Sequence, residues 1–134
     1  MSRLRLLIAL AVAATAAVLV APNAAALAAT PARASDASVL VLTVQAPQQP
    51  ERHRVLRCGP TGGDHPYAAQ ACGELDRARG NPAAVPGEPR VCPYIYRPVT
   101  VTARGYWQGR LVDFAETYPN DCVLHARTGS LYEF

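Results

Sequence analysis

Four cysteines constrain the fold of this 134-residue chain more than any other feature. An even number of cysteines in a small exported protein is typical of disulfides, and two disulfides among four cysteines allow three connectivities. Because no two of them have Cys-x-x-Cys spacing, a structural zinc site is disfavoured, and no other cofactor is indicated. The sequence therefore predicts a small domain closed by two disulfides among Cys58, Cys72, Cys92 and Cys122.

The amino-terminal segment predicts export from the cell. Two arginines precede an uncharged apolar run from Leu6 to Val20, and an alanine-rich stretch follows. A basic amino-terminal region, an apolar centre and a cleavage site of small residues are typical of a secretory signal peptide. This apolar run is also shorter than the roughly 20 residues that a membrane-spanning helix needs. We expect a secreted, extracellular protein whose signal peptide is residues 1–34. Cleavage is expected after Ala34, with Ala28 and Ala26 as the alternative positions.

Cleavage would leave residues 35–134, a length that suits one small domain. The whole chain carries 13 basic and 10 acidic residues, and three of the arginines lie in the predicted signal peptide, so ten residues of each charge remain. A balanced charge gives no electrostatic support to the binding of nucleic acid or of an anionic membrane. We therefore expect neither as a partner after cleavage.

Short apolar runs predict an α+β domain with an antiparallel sheet. The clear helical pattern lies between Tyr67 and Ala78, and Asn120 or Asp121 would cap a short helix that runs through His125. The two strands after residue 98 predict a hairpin around residues 103–105, with Tyr106, Trp107 and Gly109 near its bend. Strands are predicted at residues 39–44, 54–58, 99–102, 110–114 and 131–134.

The octapeptide Val91–Pro98 predicts a stiff, extended and exposed loop. Pro93 and Pro98 fix their own φ angles near −65° and bias the residues before them toward extended backbone. Both prolines also lack the N–H group that an interior sheet position needs. The loop would expose Tyr94 and Ile95, as a peptide held out to a protease would. The alternative is an edge strand whose Tyr-Ile-Tyr sequence packs on the core.

These residues resemble the Streptomyces subtilisin inhibitor-like proteins, which are small secreted inhibitors of serine proteases. The segment from Cys92 to Val99 matches the Cys-Pro-x-x-Tyr-x-Pro-Val pattern of their reactive site, and residues 105–109 match their Gly-x-Trp-Gln-Gly. The resemblance runs from about Ser38 to the end of the chain. Further matches are residues 40–44, His65-Pro66, Ala71-Cys72, Asn120-x-Cys122 and Phe134.

The resemblance implies a fold: a five-stranded antiparallel sheet with two helices on one side, and a homodimer formed through the sheets. It also implies disulfides Cys58–Cys72 and Cys92–Cys122. The scissile bond would join Tyr94 to Ile95, which together form the reactive site. Implied contacts with the protease are Val91, Cys92, Pro93, Tyr96 and Arg97, and implied supports of the loop are Pro98 and Asn120.

Tyr94 indicates the class of target protease. A large aromatic side chain suits the apolar pockets of subtilisin-like and chymotrypsin-like enzymes, whereas trypsin requires a basic residue. Two features depart from the family pattern. The position of Arg97 is often acidic in the family, so Arg97 would alter preference on the leaving-group side of the protease. The loop from Gln45 to Arg52 is shorter, which puts the first hairpin in question.

Other readings of the sequence lead to different functions. A non-inhibitory binding or cell-surface module could use the same disulfide scaffold. A small hydrolase is the second alternative, but the sequence contains neither a Gly-x-Ser-x-Gly motif nor a metal-binding motif. Asn120 suits a hydrogen bond behind the loop and, as the alternative, an ordinary helix cap equally well. Trp107 suits the core or a subunit contact better than a ligand platform. Arginines 52, 54 and 57 are most simply a solvated strand face.

Overall fold

The computed structural model describes residues 37–134, so the predicted signal peptide lies outside the described residues. Five antiparallel strands form one sheet in the order β3-β2-β1-β4-β5, and two α-helices pack against it. The strands are β1 (Ser38–Gln45), β2 (Arg52–Cys58), β3 (Gly62–Gly63), β4 (Val99–Trp107) and β5 (Arg110–Tyr118). The helices are α1 (Ala68–Arg77) and α2 (Asp121–Thr128).

Strand β1 is the central strand of the sheet, and its residues alternate between two environments. Leu40, Leu42 and Val44 are buried, whereas Val39 and Val41 are exposed on the opposite face. Such alternation follows from the two-residue period of a strand, and each fully buried side chain of this size stabilises the fold by about 1.5–3 kcal/mol. Strand β1 pairs with both β2 and β4, so the shorter loop after Gln45 does not prevent the first hairpin.

The second hairpin bends beside Gly109, at the far end of the region that the sequence predicted. Strand β4 continues through residues 103–105, and the turn is Gln108-Gly109, both with positive φ as in a tight two-residue hairpin turn. Gly109 therefore lies in the bend, as predicted, whereas residues 103–105 do not, because Gly105 marks no turn. A Cβ atom at this position would collide with the Val39 carbonyl oxygen of β1. Glycine there allows two strands to approach closely.

The fifth strand is not the predicted carboxy-terminal one. Residues 131–134 form turns, in which the N–H groups of Leu131 and Glu133 donate to the carbonyls of Thr128 and Ser130. Leu131 and Tyr132 are adjacent and both fully buried, whereas a strand would direct them to opposite faces. The fifth strand is β3, two glycines that pair with β2 and that read as a chain break in the sequence.

Both helices cover the face of the sheet that carries Leu40 and Leu42. Leu75 of α1 and Leu124 of α2 belong to the same buried cluster, which also contains Trp107. A disulfide joins Cys58 of β2 to Cys72 of α1. None of the helices in residues 37–134 combines the length and apolar character that crossing a bilayer requires.

The arginines of β2 are not simply a solvated face. The Arg52 guanidinium donates a hydrogen bond to the Phe134 carbonyl, and the Arg54 guanidinium lies over the Phe134 ring, 5.6 Å from its centroid. His65 contacts the same ring edge-on, with the two ring centroids 5.4 Å apart. Strand β2 therefore holds the end of the chain against the domain. Arg57 is exposed, as predicted.

Candidate functional site

The octapeptide Val91–Pro98, here called the 91–98 loop, has no regular secondary structure. The exposed fractions of its large side chains are 109% for Tyr94, 80% for Tyr96 and 54% for Ile95. The edge-strand alternative is therefore wrong, since a strand packed on the core would bury alternate side chains. The prediction of a loop that exposes Tyr94 and Ile95 agrees with the structure.

Asn120 holds the loop from behind on both sides of Tyr94. Its Nδ2 group donates to the Ile95 carbonyl at 2.8 Å and to the Pro93 carbonyl at 3.2 Å. Its Oδ1 atom accepts a hydrogen bond from the Val123 N–H at 3.0 Å, which caps α2. Asn120 therefore performs both of the roles that the sequence suggested as alternatives. With only 8% of its surface exposed, this side chain joins the loop directly to a helix.

Two further contacts fix the loop at its ends. Disulfide Cys92–Cys122 ties the residue two before Tyr94 to the first turn of α2, with the two Cα atoms 5.6 Å apart. On the other side, the Arg97 N–H donates to the Pro119 carbonyl at 2.8 Å. Both disulfides have the pairing that the family resemblance implied. Sequence reasoning missed Pro119, because a backbone acceptor leaves no signal in residue identity.

The supporting residues lie between a paired strand and a capped helix. Tyr118, the last residue of β5, is buried, pairs with Val99 of β4 and donates a hydrogen bond to Glu116 at 3.1 Å. Burial and this hydrogen bond raise the pKa of Tyr118 to about 12. The residues that hold the loop, Pro119 to Cys122, thus lie where a paired strand passes into a capped helix.

The site presents a peptide bond rather than a catalytic group. Within residues 37–134, no hydrogen bond engages the backbone N–H or carbonyl of Tyr94, although the carbonyls on either side of this residue are bound. The same part of the chain contains no group of three His, Cys, Asp or Glu side chains that could hold a metal ion. The Arg97 side chain is exposed and is the sole charge in the loop. Pro98 ends the loop immediately before β4.

Known proteins with similar sequences and structures place this chain in a family. The model of the subtilisin inhibitor-like family matches residues 36–120. Subtilisin inhibitor-like protein 1 of Streptomyces cacaoi is 48% identical over 88 residues, which are 63% of this chain and 80% of the relative. A subtilase-type protease inhibitor of Streptomyces fradiae is 42% identical over 116 residues, which are 77% of this chain and 82% of the relative.

A solved structure also resembles this fold. Sermetstatin of Streptomyces caespitosus, crystallised in complex with Bacillus licheniformis subtilisin, superposes with a TM-score of 0.60 and 34% sequence identity. The match covers 73% of this chain and 99% of sermetstatin. With its sheet order, its two disulfides and its exposed loop, this chain belongs to the subtilisin inhibitor-like family.

Proposed function

We propose that this protein is a secreted inhibitor of subtilisin-like and chymotrypsin-like serine proteases, and that Tyr94–Ile95 is its scissile bond. The observation that supports this most directly is the position of Tyr94. Its side chain is fully exposed, while the buried Asn120 binds the carbonyls of the residues before and after it. The relatives are named protease inhibitors and sermetstatin was crystallised with subtilisin, which agrees with an inhibitor and not an enzyme.

In the proposed complex, Tyr94 enters the primary specificity pocket of the protease. Its free carbonyl faces the nucleophilic serine and the oxyanion hole, which supply the catalytic chemistry. Val91, Cys92 and Pro93 contact the protease on the acyl side of the bond, and Tyr96 and Arg97 contact it on the leaving-group side. The inhibitor contributes a peptide already in the extended form that the protease binds.

Rigidity explains how such a loop would bind tightly. Fixing the backbone of one residue costs about 1–2 kcal/mol, and here the disulfide and three hydrogen bonds have fixed the loop before the protease arrives. An interface of roughly 1,600 Å² can then reach nanomolar affinity or better. A flexible peptide of the same sequence would lose this advantage.

The same contacts would protect the loop from being consumed. If the Tyr94–Ile95 bond is cut, Cys92 stays bonded to Cys122, and the Arg97 N–H stays bonded to Pro119. The amine of Ile95 would thus remain beside the acyl group of Tyr94. Two groups held together react as if at very high concentration, so religation competes with release.

We extend the proposal to a homodimer formed through the outer face of the sheet. This face, opposite the helices, carries four exposed apolar side chains in neighbouring positions of three adjacent strands, which are Val39, Val41, Tyr106 and Leu111. Covering them would remove apolar surface from water. Sedimentation equilibrium at micromolar concentration should give twice the chain mass, and Val41→Asp should shift it toward the monomer. A wild-type monomer would contradict this part of the proposal.

Titration of proteases tests the proposed function. Increasing amounts of the protein are mixed with subtilisin, chymotrypsin and trypsin, and each activity is followed with a chromogenic substrate. Subtilisin and chymotrypsin should be inhibited strongly and trypsin weakly, because the trypsin pocket favours a basic residue. Trypsin inhibited best would overturn the assignment of Tyr94. Lack of inhibition at micromolar concentration would favour a non-inhibitory binding module.

A further inference from the structure

We propose that Gly87 is a positioning residue, which lets the segment before the 91–98 loop lie directly against the backbone of α2 and thereby sets the path of the loop. This inference rests on the proposed function and deepens it. Gly87 lies five residues before Cys92, outside the family reactive-site pattern, and is exposed. Glycine matters at this position because the Cα atom lies too close to α2 for any side chain to fit.

A side chain at position 87 has no room. A Cβ atom there would overlap the Ala126 carbonyl oxygen, and would lie 2.9 Å from the Ala126 carbonyl carbon and 3.0 Å from the Arg127 Cα. All three atoms belong to the backbone of α2, which cannot move without distorting the helix. The φ of Gly87 lies outside the left-handed region, so the close approach, and not the backbone conformation, requires glycine.

Two contacts on one helix therefore define the path of residues 87–92. Ala126 follows Cys122 by four residues, and residues at this spacing lie on the same face of a helix. Gly87 lies against Ala126, and Cys92 is bonded to Cys122. The segment thus runs along α2 from its last turn toward its first. Asn120, the cap of the same helix, then binds the carbonyls around Tyr94.

Within residues 37–134, no hydrogen bond joins residues 87–90 to another part of the chain. The ion pair between Arg90 and Glu88, 3.4 Å apart, lies within the segment and is partly exposed, so it contributes little. If a methyl group pushed position 87 off α2, residues 88–91 would tilt about the disulfide. Val91 and Cys92 would move relative to Tyr94. Small misplacements of a substrate-like peptide lower binding and reaction rates by large factors.

The test compares Gly87→Ala with Gly62→Ala. Gly62 is a suitable control because a Cβ there would meet no atom within 4 Å, and its φ is also outside the left-handed region. For Gly87→Ala we expect the inhibition constant for subtilisin to rise about 10- to 100-fold and cleavage at Tyr94–Ile95 to accelerate, with an unchanged melting temperature. Gly62→Ala should match the wild type in inhibition and cleavage. Unchanged inhibition by Gly87→Ala, or loss of inhibition in proportion to a lower melting temperature, would overturn the inference.

A second measurement separates this inference from the proposed function. In the wild-type protein without protease, NMR should show a nuclear Overhauser effect between the Hα protons of Gly87 and Arg127. It should be lost in Gly87→Ala, with shifted Val91 and Cys92 amide signals. Absence of this contact in the wild type would overturn the placement of Gly87. If the contact is present but the wild type fails to inhibit subtilisin, the proposed function fails while the placement stands.

Discussion

The sheet with its helices and the 91–98 loop are held in opposite ways. In the sheet, apolar side chains such as Leu42 and Val101 are fully buried, and removal of apolar surface from water supplies the stability. In the loop, Tyr94 and Tyr96 face solvent, and order comes from one disulfide and a few directed hydrogen bonds to residues 119–122. One region obtains its order from packing and the other from a small number of specific contacts.

This difference explains how a small domain can expose large apolar side chains. Because the Tyr94 side chain is fully exposed, we expect the stability of the fold not to depend on it, which leaves this residue available for the proposed recognition. The two disulfides follow the same division. Cys58–Cys72 joins a strand to a helix beside the core, whereas Cys92–Cys122 joins the loop to α2. Substitutions in the loop should therefore change inhibition, and those in the core should change stability.

The largest effect is expected from Tyr94→Asp. A charge in the apolar pocket of subtilisin would be unpaired and desolvated, so the inhibition constant should rise at least about 1,000-fold. The melting temperature should stay unchanged because Tyr94 makes no buried contact. Gln108→Asp, in the exposed hairpin turn at the far end of β5, is the control for added charge and should inhibit normally. If Tyr94→Asp lowered stability as much as inhibition, the claim that the loop serves inhibition and the core serves stability would be contradicted.

Leu42→Ala should give the reverse result. This side chain is fully buried in the centre of the sheet, and its truncation should lower the free energy of unfolding by about 2–5 kcal/mol. The exposed Gln45 at the end of the same strand is the control, and Gln45→Ala should cost less than about 1 kcal/mol. Urea unfolding measures both. The folded Leu42→Ala protein should still inhibit subtilisin with an inhibition constant within about threefold of the wild type. A larger rise would mean that the conformation of the 91–98 loop depends on packing in the core.

Asn120 joins the two regions, and two substitutions separate its roles. Asn120→Asp keeps an oxygen that accepts the Val123 N–H, but loses the donor to the Pro93 and Ile95 carbonyls. The second carboxylate oxygen would face those two carbonyl oxygens, so stability should fall by about 1–3 kcal/mol and the inhibition constant should rise about 10- to 100-fold. Asn120→Ala should also lose about 1 kcal/mol of stability from the missing cap. Tight inhibition by Asn120→Asp would show that the disulfide and the Arg97–Pro119 hydrogen bond order the loop without Asn120.

The smallest expected effect is a pH dependence of stability that arises from the buried His65. Burial lowers the pKa of His65, against the opposing effect of the Leu131 carbonyl and Asp64. The neutral ring is fixed by two contacts, since its Nδ1 atom accepts from the Tyr67 N–H at 3.1 Å and its Nε2 atom lies 3.0 Å from the Leu131 carbonyl oxygen. Because the folded pKa is below the unfolded value of about 6.5, the unfolded chain takes up the proton first as pH falls.

Stability should therefore decrease slightly as pH falls below about 6.5, until the folded pKa is reached. Burial also lowers the pKa of His125, which adds to the same trend. Urea unfolding at pH 7.5 and pH 5 measures the change, and NMR titration should place the pKa of His65 below 6.5. A His65 pKa at or above that value would contradict the assignment.

The sequence predicted the regions in which residue identity carries the signal. The strand β1, the helical spacing around Leu75 and the prolines of the loop follow from local rules. Strand β3 and the course of β4 through Gly105 did not, because glycine reads as a chain break whether it turns the chain or lets two strands approach. The sequence predicted β1 as buried throughout, and this was wrong for Val39 and Val41, because an apolar run does not show which face of the strand is covered. The carboxy-terminal turns were also missed, since burial of both Leu131 and Tyr132 depends on tertiary contacts.

Mass spectrometry of an equimolar mixture with subtilisin tests the account most directly. A rigid, substrate-like loop should be cut slowly and only between Tyr94 and Ile95. The reaction should stop at a mixture of intact and cut protein, and the same ratio should be reached from purified cut protein, because the ends remain in place for religation. Rapid and complete cleavage, or a principal cut at another bond, would contradict the claim that the 91–98 loop is held for inhibition.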